Sequence, residues 1–538
     1  MQCLMNIKST VVIFILAFVY ANSYSQTIAP VSQMAGKMTI MVDPRVELLC
    51  AVQTLTDYPA IARNTLYSKE LTGYFGKDTT SEAVRLTSEL LNRFGFSYDA
   101  PLDLILRLSD APYLTQVRAF PQRTIERAGG EDNLEKYRLA LKQFASDSRF
   151  EDFWKSKIPY YQQIVAYTVD SLGEFDPSEV IAHYYNESKK SYNVILSPAL
   201  GCGYGIRVAD RNNELDIYGC LYTEKENNGI PYYDREGLSN FLYHEFSHSY
   251  INPLTDLYPS MVDATENLFK PINGKMSYDR WITCLNEHIV RAVHIRILQT
   301  TGHEKEALDL LRREHTRSFF YIDPVIDQLK RFEQERDSKN ITFTQFYPQL
   351  LAVFDSLSHT DNTELIDPMF KGPVQTVLGQ TKVVIIYPTN SDDSVSLKNL
   401  YDYTVKIQQS KGNGAVLLAD TTALKNNLSN DWILAYGTIE SNLFLKKYET
   451  LFPFRIDGDT IVTDRKQVGE KLRLITCLPN PQNPRRGMLV NTATHNQSLK
   501  SVRIPIEADF LVFEDISNIR QNGLYDKNGE WHFGQTPR

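Results

Sequence analysis

The sequence predicts an α+β protein with a large helical N-terminal part, a short run of strands leading into a histidine-bearing helix, and a separate C-terminal α/β domain. Three observations carry this reading. From about residue 43 to residue 190, apolar residues recur at three-to-four spacing, as along 86–94, 133–144 and 165–172. Residues 192–196, 201–208 and 216–223 then read as strands, immediately before helices at 235–251 and 277–301. Beyond a change of pattern at 367–374, strand-like 383–387, 415–419, 432–436, 472–477, 488–490 and 510–513 alternate with helical 397–409 and 441–451. The predicted organisation is a signal peptide at 1–25, a first domain at 26–366 and an accessory α/β domain at 374–538.

The N-terminal segment reads as an export signal. Lys8 supplies positive charge ahead of an apolar run at 11–21, which is too short to span a bilayer. Small residues at Ser23 and Ser25 place cleavage near Ser25–Gln26, and Cys3 precedes the apolar run, against a lipoprotein. The expected location is therefore secreted or periplasmic, with no transmembrane segment. The formal net charge is −8 and no Lys/Arg-rich stripe occurs, which excludes nucleic acid as a partner. Five cysteines would remain after processing, an odd and sparse set. Cys202 and Cys220 are the one pair suggestive of a bridge, across a hairpin around 211–213. No Cys-x-x-Cys spacing offers a thiolate zinc site.

His244-Glu245-Phe246-Ser247-His248 is the most informative stretch. On a helix, the i, i+4 spacing puts both imidazoles on one face, about one turn apart, where they can share a tetrahedral Zn²⁺. Glu245 lies about 100° round the helix, placed to act as a general base without being a ligand. Asp234 is the expected N-cap. Leu238, Phe241, Leu242, Phe246 and Ile251 cover much of the circumference, which marks a buried helix, and Asn252-Pro253 is expected to end it.

A catalytic zinc needs a third protein ligand. The extended form of the motif is absent, because Ile251 and Leu254 stand where its glycine and third histidine would be. Glu287, inside a strong helical pattern, is preferred to Glu266 in turn-like surroundings, with His288 and His294 as further alternatives. The competing reading of Glu287 is an ordinary surface pair with Arg291 at i+4. Candidate donors to a developing oxyanion are Tyr250, Tyr278, His288, Arg291 and His294. The glycines of 201–205 either let a substrate backbone approach the strand or serve a bulge.

His244-Glu245-x-x-His248 with Asn286-Glu287 downstream resembles the gluzincin metallopeptidases. Together with residues 42–49 and 286–292, the motif region also resembles a secreted bacterial family classed as a domain of unknown function and zincin-like, over about residues 38–360. The resemblance implies a zincin-like peptidase fold, with His244, His248 and Glu287 holding one Zn²⁺ per chain and Glu245 as the catalytic base on a peptide or protein substrate. The alternative is a non-catalytic cell-surface protein that captures peptide or glycan on the same scaffold; a structural zinc is disfavoured for want of four protein ligands.

In the C-terminal domain, residues 437–442 open a helix after a strand, a place where backbone N–H groups can hold an anion. The segment is not a Gly-x-Ser-x-Gly elbow, so Ser441 is not read as a nucleophile. Packing or docking is the expected role of this domain.

Overall fold

The computed structural model describes residues 27–222, 225–273, 276, 278, 280–499, 508–515, 517–525 and 531–532. The described chain is mixed α/β, helical in its N-terminal part and β-rich towards its C-terminal end. It packs as two units: the residues up to Ala182 with Ser188–Ser249, and His183–Glu187 with Tyr250 onward. The expected signal peptide at 1–25 lies outside the described residues, among which no helix is long and apolar enough to cross a membrane.

The first unit is built on a five-stranded sheet in the order β1-β2-β3-β5-β4. The hairpin of β1 (Val31–Ala35) and β2 (Met38–Val42) was not anticipated from sequence. It turns at Gly36, whose φ of +58° favours glycine, and the Lys37 N–H donates to Asp176 at 2.7 Å. β2 runs parallel to β3 (Ser191–Leu196), and parallel neighbours require a long crossover. The helical part supplies it: α1 (Pro44–Thr54), α2 (Leu66–Phe75), α3 (Glu82–Phe94), α4 (Asp99–Ile105), α5 (Gln122–Arg127), α6 (Glu131–Asp147), α7 (Phe150–Leu172) and α8 (Pro177–Tyr185). β4 (Tyr204–Ala209) and β5 (Leu215–Leu221) form the expected antiparallel hairpin, with β4 on the sheet edge. Short strands β6 (Glu226–Asn227) and β7 (Ile230–Pro231) pair just before α9 (Arg235–Leu257).

The second unit continues with α10 (Pro259–Asp263), α11 (Glu266–Asn273), α12 (Trp281–Thr300), α13 (Glu304–Thr316), α14 (Ile322–Lys339), α15 (Phe343–Ser358), α16 (Thr363–Ile366) and α17 (Val374–Leu378). Its sheet runs β18-β17-β16-β14-β15-β10-β8-β9. Four strands are parallel: β8 (Val383–Tyr387), β9 (Ala415–Ala419), β10 (Trp432–Tyr436) and β15 (Asn483–Ala493). β14 (Arg473–Asn480), β16 (Phe510–Asp515), β17 (Asn518–Tyr525) and β18 (Trp531–His532) extend it antiparallel. Helix α18 (Ser394–Lys411) lies between β8 and β9 in the chain, and a separate meander joins β11 (Arg455–Asp457), β12 (Thr460–Val462) and β13 (Lys466–Val468). In the parallel part, Val384, Ile433 and Val490 face one apolar layer while Val383, Leu434 and Leu489 face another. Burial on both faces is why these strands read as unbroken apolar runs.

At 437–442, where an anion was expected on backbone N–H groups, those of Thr438 and Ser441 donate instead to the Asn496 side chain and the Thr438 hydroxyl. Fully buried Asp420, at the start of α19 (Asp420–Ala423), accepts the Leu443 N–H at 2.7 Å and the Thr389 hydroxyl at 2.5 Å. Asn442 caps α20 (Leu443–Tyr448) by accepting from Phe444 and Leu445, and the Ser441 hydroxyl donates to Asn496.

The conspicuous acidic residues of 42–49 are structural. Asp43 caps α1 by accepting the Arg45 N–H at 2.8 Å, and the Arg45 guanidinium folds back on the same carboxylate while donating to the Leu108 carbonyl. One turn on, Glu47 is 1% exposed. It accepts from the Tyr67 hydroxyl at 2.5 Å, which lies 2.6 Å from that of Tyr161. Burial pushes the Glu47 carboxyl up to about 7, partly opposed by hydrogen bonds from Ser197 and Tyr67. An acid whose folded value exceeds its unfolded one holds its proton longer in the fold, so its contribution to stability declines as pH rises between about 4.5 and 7. At about 1.4 kcal/mol per unit, that decline is of the order of 3 kcal/mol. Glu47→Gln should flatten it: thermal melts at pH 5 and pH 8 should differ less in the variant than in the parent, and an unchanged difference would place the titrating group elsewhere.

Candidate metal centre

Helix α9 begins as expected. Asp234 accepts the Gly237 N–H at 2.7 Å and its carbonyl accepts from Leu238. Leu238, Leu242, Phe246 and Ile251 are buried. The helix does not stop at Asn252-Pro253 but continues to Leu257. Pro253 removes one main-chain hydrogen bond there. Packing around that turn outweighs the loss: Ile251 and Leu254 are buried, and the Thr255 hydroxyl meets Asn286 at 2.5 Å and Tyr347 at 2.8 Å.

Side-chain-free positions let α9 settle closely on the β4–β5 hairpin. A Cβ at Gly203 would fall 1.9 Å from the Phe241 ring, and one at Gly219 would fall 2.9 Å from Leu242. At Gly205 it would fall 2.3 Å from the Glu245 carbonyl oxygen and 3.1 Å from its carboxylate. Gly201 serves a different contact, donating its N–H to the Ala60 carbonyl at 2.9 Å. These contacts give the glycines a further use beside the bulge and the substrate approach. They accommodate the motif helix and the 60–62 segment.

The expected Cys202–Cys220 pair is not a bridge, and both thiols are free. The register sets Tyr204, not Cys202, opposite Cys220. Burial raises the Cys220 thiol above its usual range, with the charges of Asp43 and Glu245 adding to the effect. The Glu245 carboxylate thus lies within electrostatic reach of β5.

His244 and His248 are half-buried, with ring centroids 4.9 Å apart and planes at 85°. Their Nε2 atoms are 3.3 Å apart. Two zinc–nitrogen bonds of about 2.0–2.1 Å at a tetrahedral angle separate the nitrogens by about 3.3–3.4 Å. Glu287, on α12 and 7% exposed, completes the group: His244, His248 and Glu287 each offer a ligand atom, all within 4.8 Å of one another. Among the described residues one such group forms. The donor set and spacing therefore fit a divalent ion such as zinc.

Glu287 also makes the pair with Arg291 that the competing reading foresaw, but buried instead of at the surface. Arg291 Nε donates to Glu287 Oε2 at 3.0 Å. The same guanidinium donates to Glu314 at 2.8 Å and to the Tyr278 hydroxyl at 2.9 Å, and lies 4.4 Å from the Phe319 ring centre. Burial and the Glu287 charge push the Tyr278 phenol above its usual range. Glu314 has no motif spacing to reveal it. The alternatives Glu266, His288 and His294 are not in the group that could hold a metal. Glu266 pairs with Lys270 at 3.2 Å. Burial lowers both His288 and His294 to about 3. His288 Nδ1 lies 2.7 Å from the Cys284 carbonyl, amid Phe269, Phe319 and Tyr321. The Tyr250 hydroxyl donates to the Glu187 carbonyl and its ring stacks on Tyr185. Of the five proposed oxyanion donors, Tyr278 and Arg291 are the two with contacts that place them at the Glu287 carboxylate.

A family model described as "Domain of unknown function (DUF4932)" matches residues 38–353, more than half of the chain and the stretch that holds all three ligand candidates. No curated protein and no solved structure matches.

The geometry separates a candidate ligand, His248, from a core histidine, His288. The full-length protein should retain about one zinc per chain, His248→Ala should retain less than about a tenth of that, and His288→Phe should retain all of it. Metal analysis after dialysis against a weak chelator, with circular dichroism to confirm folding, decides; full zinc in His248→Ala would remove that residue from the centre.

Proposed function

The chain belongs to the DUF4932 family, whose description assigns no activity, and from its His–His–Glu group we propose that it is an exported zinc-dependent hydrolase acting on peptide bonds. The observation that carries the reading is the 3.3 Å approach of two imidazole nitrogens, with Glu287 converging on them and a carboxylate one residue along the helix. His244, His248 and Glu287 would hold the ion, the ligand set of a gluzincin. A helix seated on a sheet with an antiparallel edge strand beside its glutamate agrees with a zincin arrangement. Bound zinc supplies Lewis acidity, lowering the pKa of water towards about 7 and polarising a carbonyl.

The chain's own groups supply the rest. Glu245, beside the edge strand, takes the proton of the attacking water and passes it to the departing amine, so its carboxylate is regenerated each cycle. Arg291 and Tyr278, at the Glu287 carboxylate, are the donors that would receive developing negative charge on the carbonyl oxygen. A non-catalytic peptide- or glycan-capturing protein is the rival reading, and Glu245 speaks against it, since a binder has no use for a base at that place. Export through residues 1–25 belongs to the same proposal.

Glu245→Gln keeps the side chain's shape and removes its basicity. The variant should retain zinc and lose about 10²–10⁴-fold in turnover of a peptide library followed by mass spectrometry. Parental cleavage rates in that variant would refute the assigned base, and stoichiometric zinc with no cleavage by the parent would favour the binding protein.

A further inference from the structure

A cationic cleft lies along β4, beginning at the residue that touches Glu245. It has a volume of about 360 Å³ and is bounded by β4 from Gly205 to Ala209 on one side and by α4, α5 and the chain between them on the other. Gly205 belongs both to this cleft and to the contact with the Glu245 carboxylate. Four arginines line it, Arg107, Arg123, Arg127 and Arg207, against two carboxylates, Asp99 and Asp103. A net positive cleft is conspicuous in a chain whose net charge is −8.

The arginines differ in what they can offer. Arg107 is 6% exposed and committed: it pairs with Asp103 at 2.8 Å and donates to the carbonyls of Ala119 and Arg207. Arg127 is held by Asp99 at 2.5 Å and by the Ser97 carbonyl. Arg123 is different. Its side chain is 58% exposed, and its contact with Asp99 is a distant 3.8 Å, so its guanidinium can turn to an incoming anion. The bond from Arg107 to the Arg207 carbonyl also shows which way the strand's polar groups point. In an antiparallel pair they alternate, so Gly205, Arg207 and Ala209 direct theirs away from β5, into the cleft. Arg107 closes that row at Arg207 and leaves Gly205, next to Glu245, for a substrate backbone.

We propose that this cleft selects an acidic side chain two to four residues on the N-terminal side of the scissile bond. The proposal rests on the hydrolase reading above and adds the substrate class. An extended peptide pairing antiparallel with β4 at Gly205 directs its N-terminal part towards Ala209; where Arg107 caps the Arg207 carbonyl it leaves the strand and continues over the cleft, at about 3.3 Å per residue, so that those positions pass the exposed Arg123. A carboxylate there gains a charge-assisted hydrogen bond from Arg123, which corresponds to about tenfold in affinity.

The test has a binding arm and a cleavage arm, both on zinc-loaded full-length protein. In the first, immobilised Glu245→Gln protein captures peptides from a random dodecapeptide pool, read by mass spectrometry. Captured peptides should be enriched about tenfold in Asp and Glu over Lys and Arg, less so as salt rises, and addition of Arg123→Glu should reverse the preference. In the second, the parent protein should cut the pool with Asp or Glu two to four residues before the new C-terminus. Acidic enrichment without any cleavage would keep the cleft and sink the hydrolase. Absence of acidic enrichment in capture, or its persistence in Arg123→Glu, overturns the cleft. Enrichment confined to the C-terminal side of the cut overturns the assigned direction.

Discussion

The contact on which the site depends is the seam where side chains of α9 lie directly on the glycine backbone of the β4–β5 hairpin. Gly203, Gly205 and Gly219 bring the helix so near that any Cβ at those positions would enter the space of Phe241, Glu245 or Leu242. Such closeness fixes the rotation of α9 about its axis. That rotation decides whether Glu245 borders the edge strand, and the 3.6-residue period carries the consequence to His244 and His248. A looser helix–sheet layer, held by interdigitating side chains, would leave the direction of all three groups open to small repacking. The missing side chains forgo apolar burial and gain orientation, a trade that suits groups which must meet one ion.

Charge bears on the surroundings of Glu287, the third candidate ligand. Glu287 is almost completely buried, and a carboxylate in that position requires a partner. Arg291 serves, but it is shared with fully buried Glu314. Glu314 has a second partner, Arg317, at 3.4 Å, so the Arg291 guanidinium is not consumed by Glu314 alone and remains bonded to Glu287. Glu314 therefore matters to the centre through Arg291, and through the carboxylate that Arg291 holds in one orientation.

Sequence showed the parts of this design that depend on spacing and hid those that depend on packing. The His244–His248 interval and the Asp234 cap are local rules, and the helix obeys both. Glu287 was legible as a carboxylate on a strong helix. Its pairing with Arg291 was legible too, but whether that pair is surface or buried is set by Glu314, Tyr278 and Phe319, which no interval connects to it. Pro253 misled because a local rule for ending helices was applied where tertiary contacts at Thr255 and Leu254 keep the helix going. Cys202 and Cys220 were suggestive only as a pair across a hairpin; a register offset of two, which hairpin length alone does not determine, leaves them unbridged. In the β-rich region, strands buried on both faces announced themselves as apolar runs, while the short β11–β13 meander, half exposed, had no such pattern. At 437–442, read from sequence as a place for an anion, the N–H groups of Thr438, Ser441 and Asn442 go to neutral acceptors, and Asp420, which only the fold brings there, is met by the next residue, Leu443.

The edge position of β4 gives one strand two obligations. An exposed edge is a hazard, because its unpaired N–H and C=O groups accept any extended chain. Here the hazard is confined: Arg107, braced by Asp103, occupies the Arg207 carbonyl, and α4 and α5 stand alongside the strand's far end. What stays open is the stretch at Gly205, and that residue is also the one whose missing side chain admits Glu245. A bulky residue there would displace the glutamate and cover the edge together. A single glycine thus couples the placement of the base to the place where an extended backbone can be received, and the guanidinium that blunts the rest of the edge makes its surroundings positive. Edge protection falls to the committed Arg107, while the exposed Arg123 is left to meet an anion.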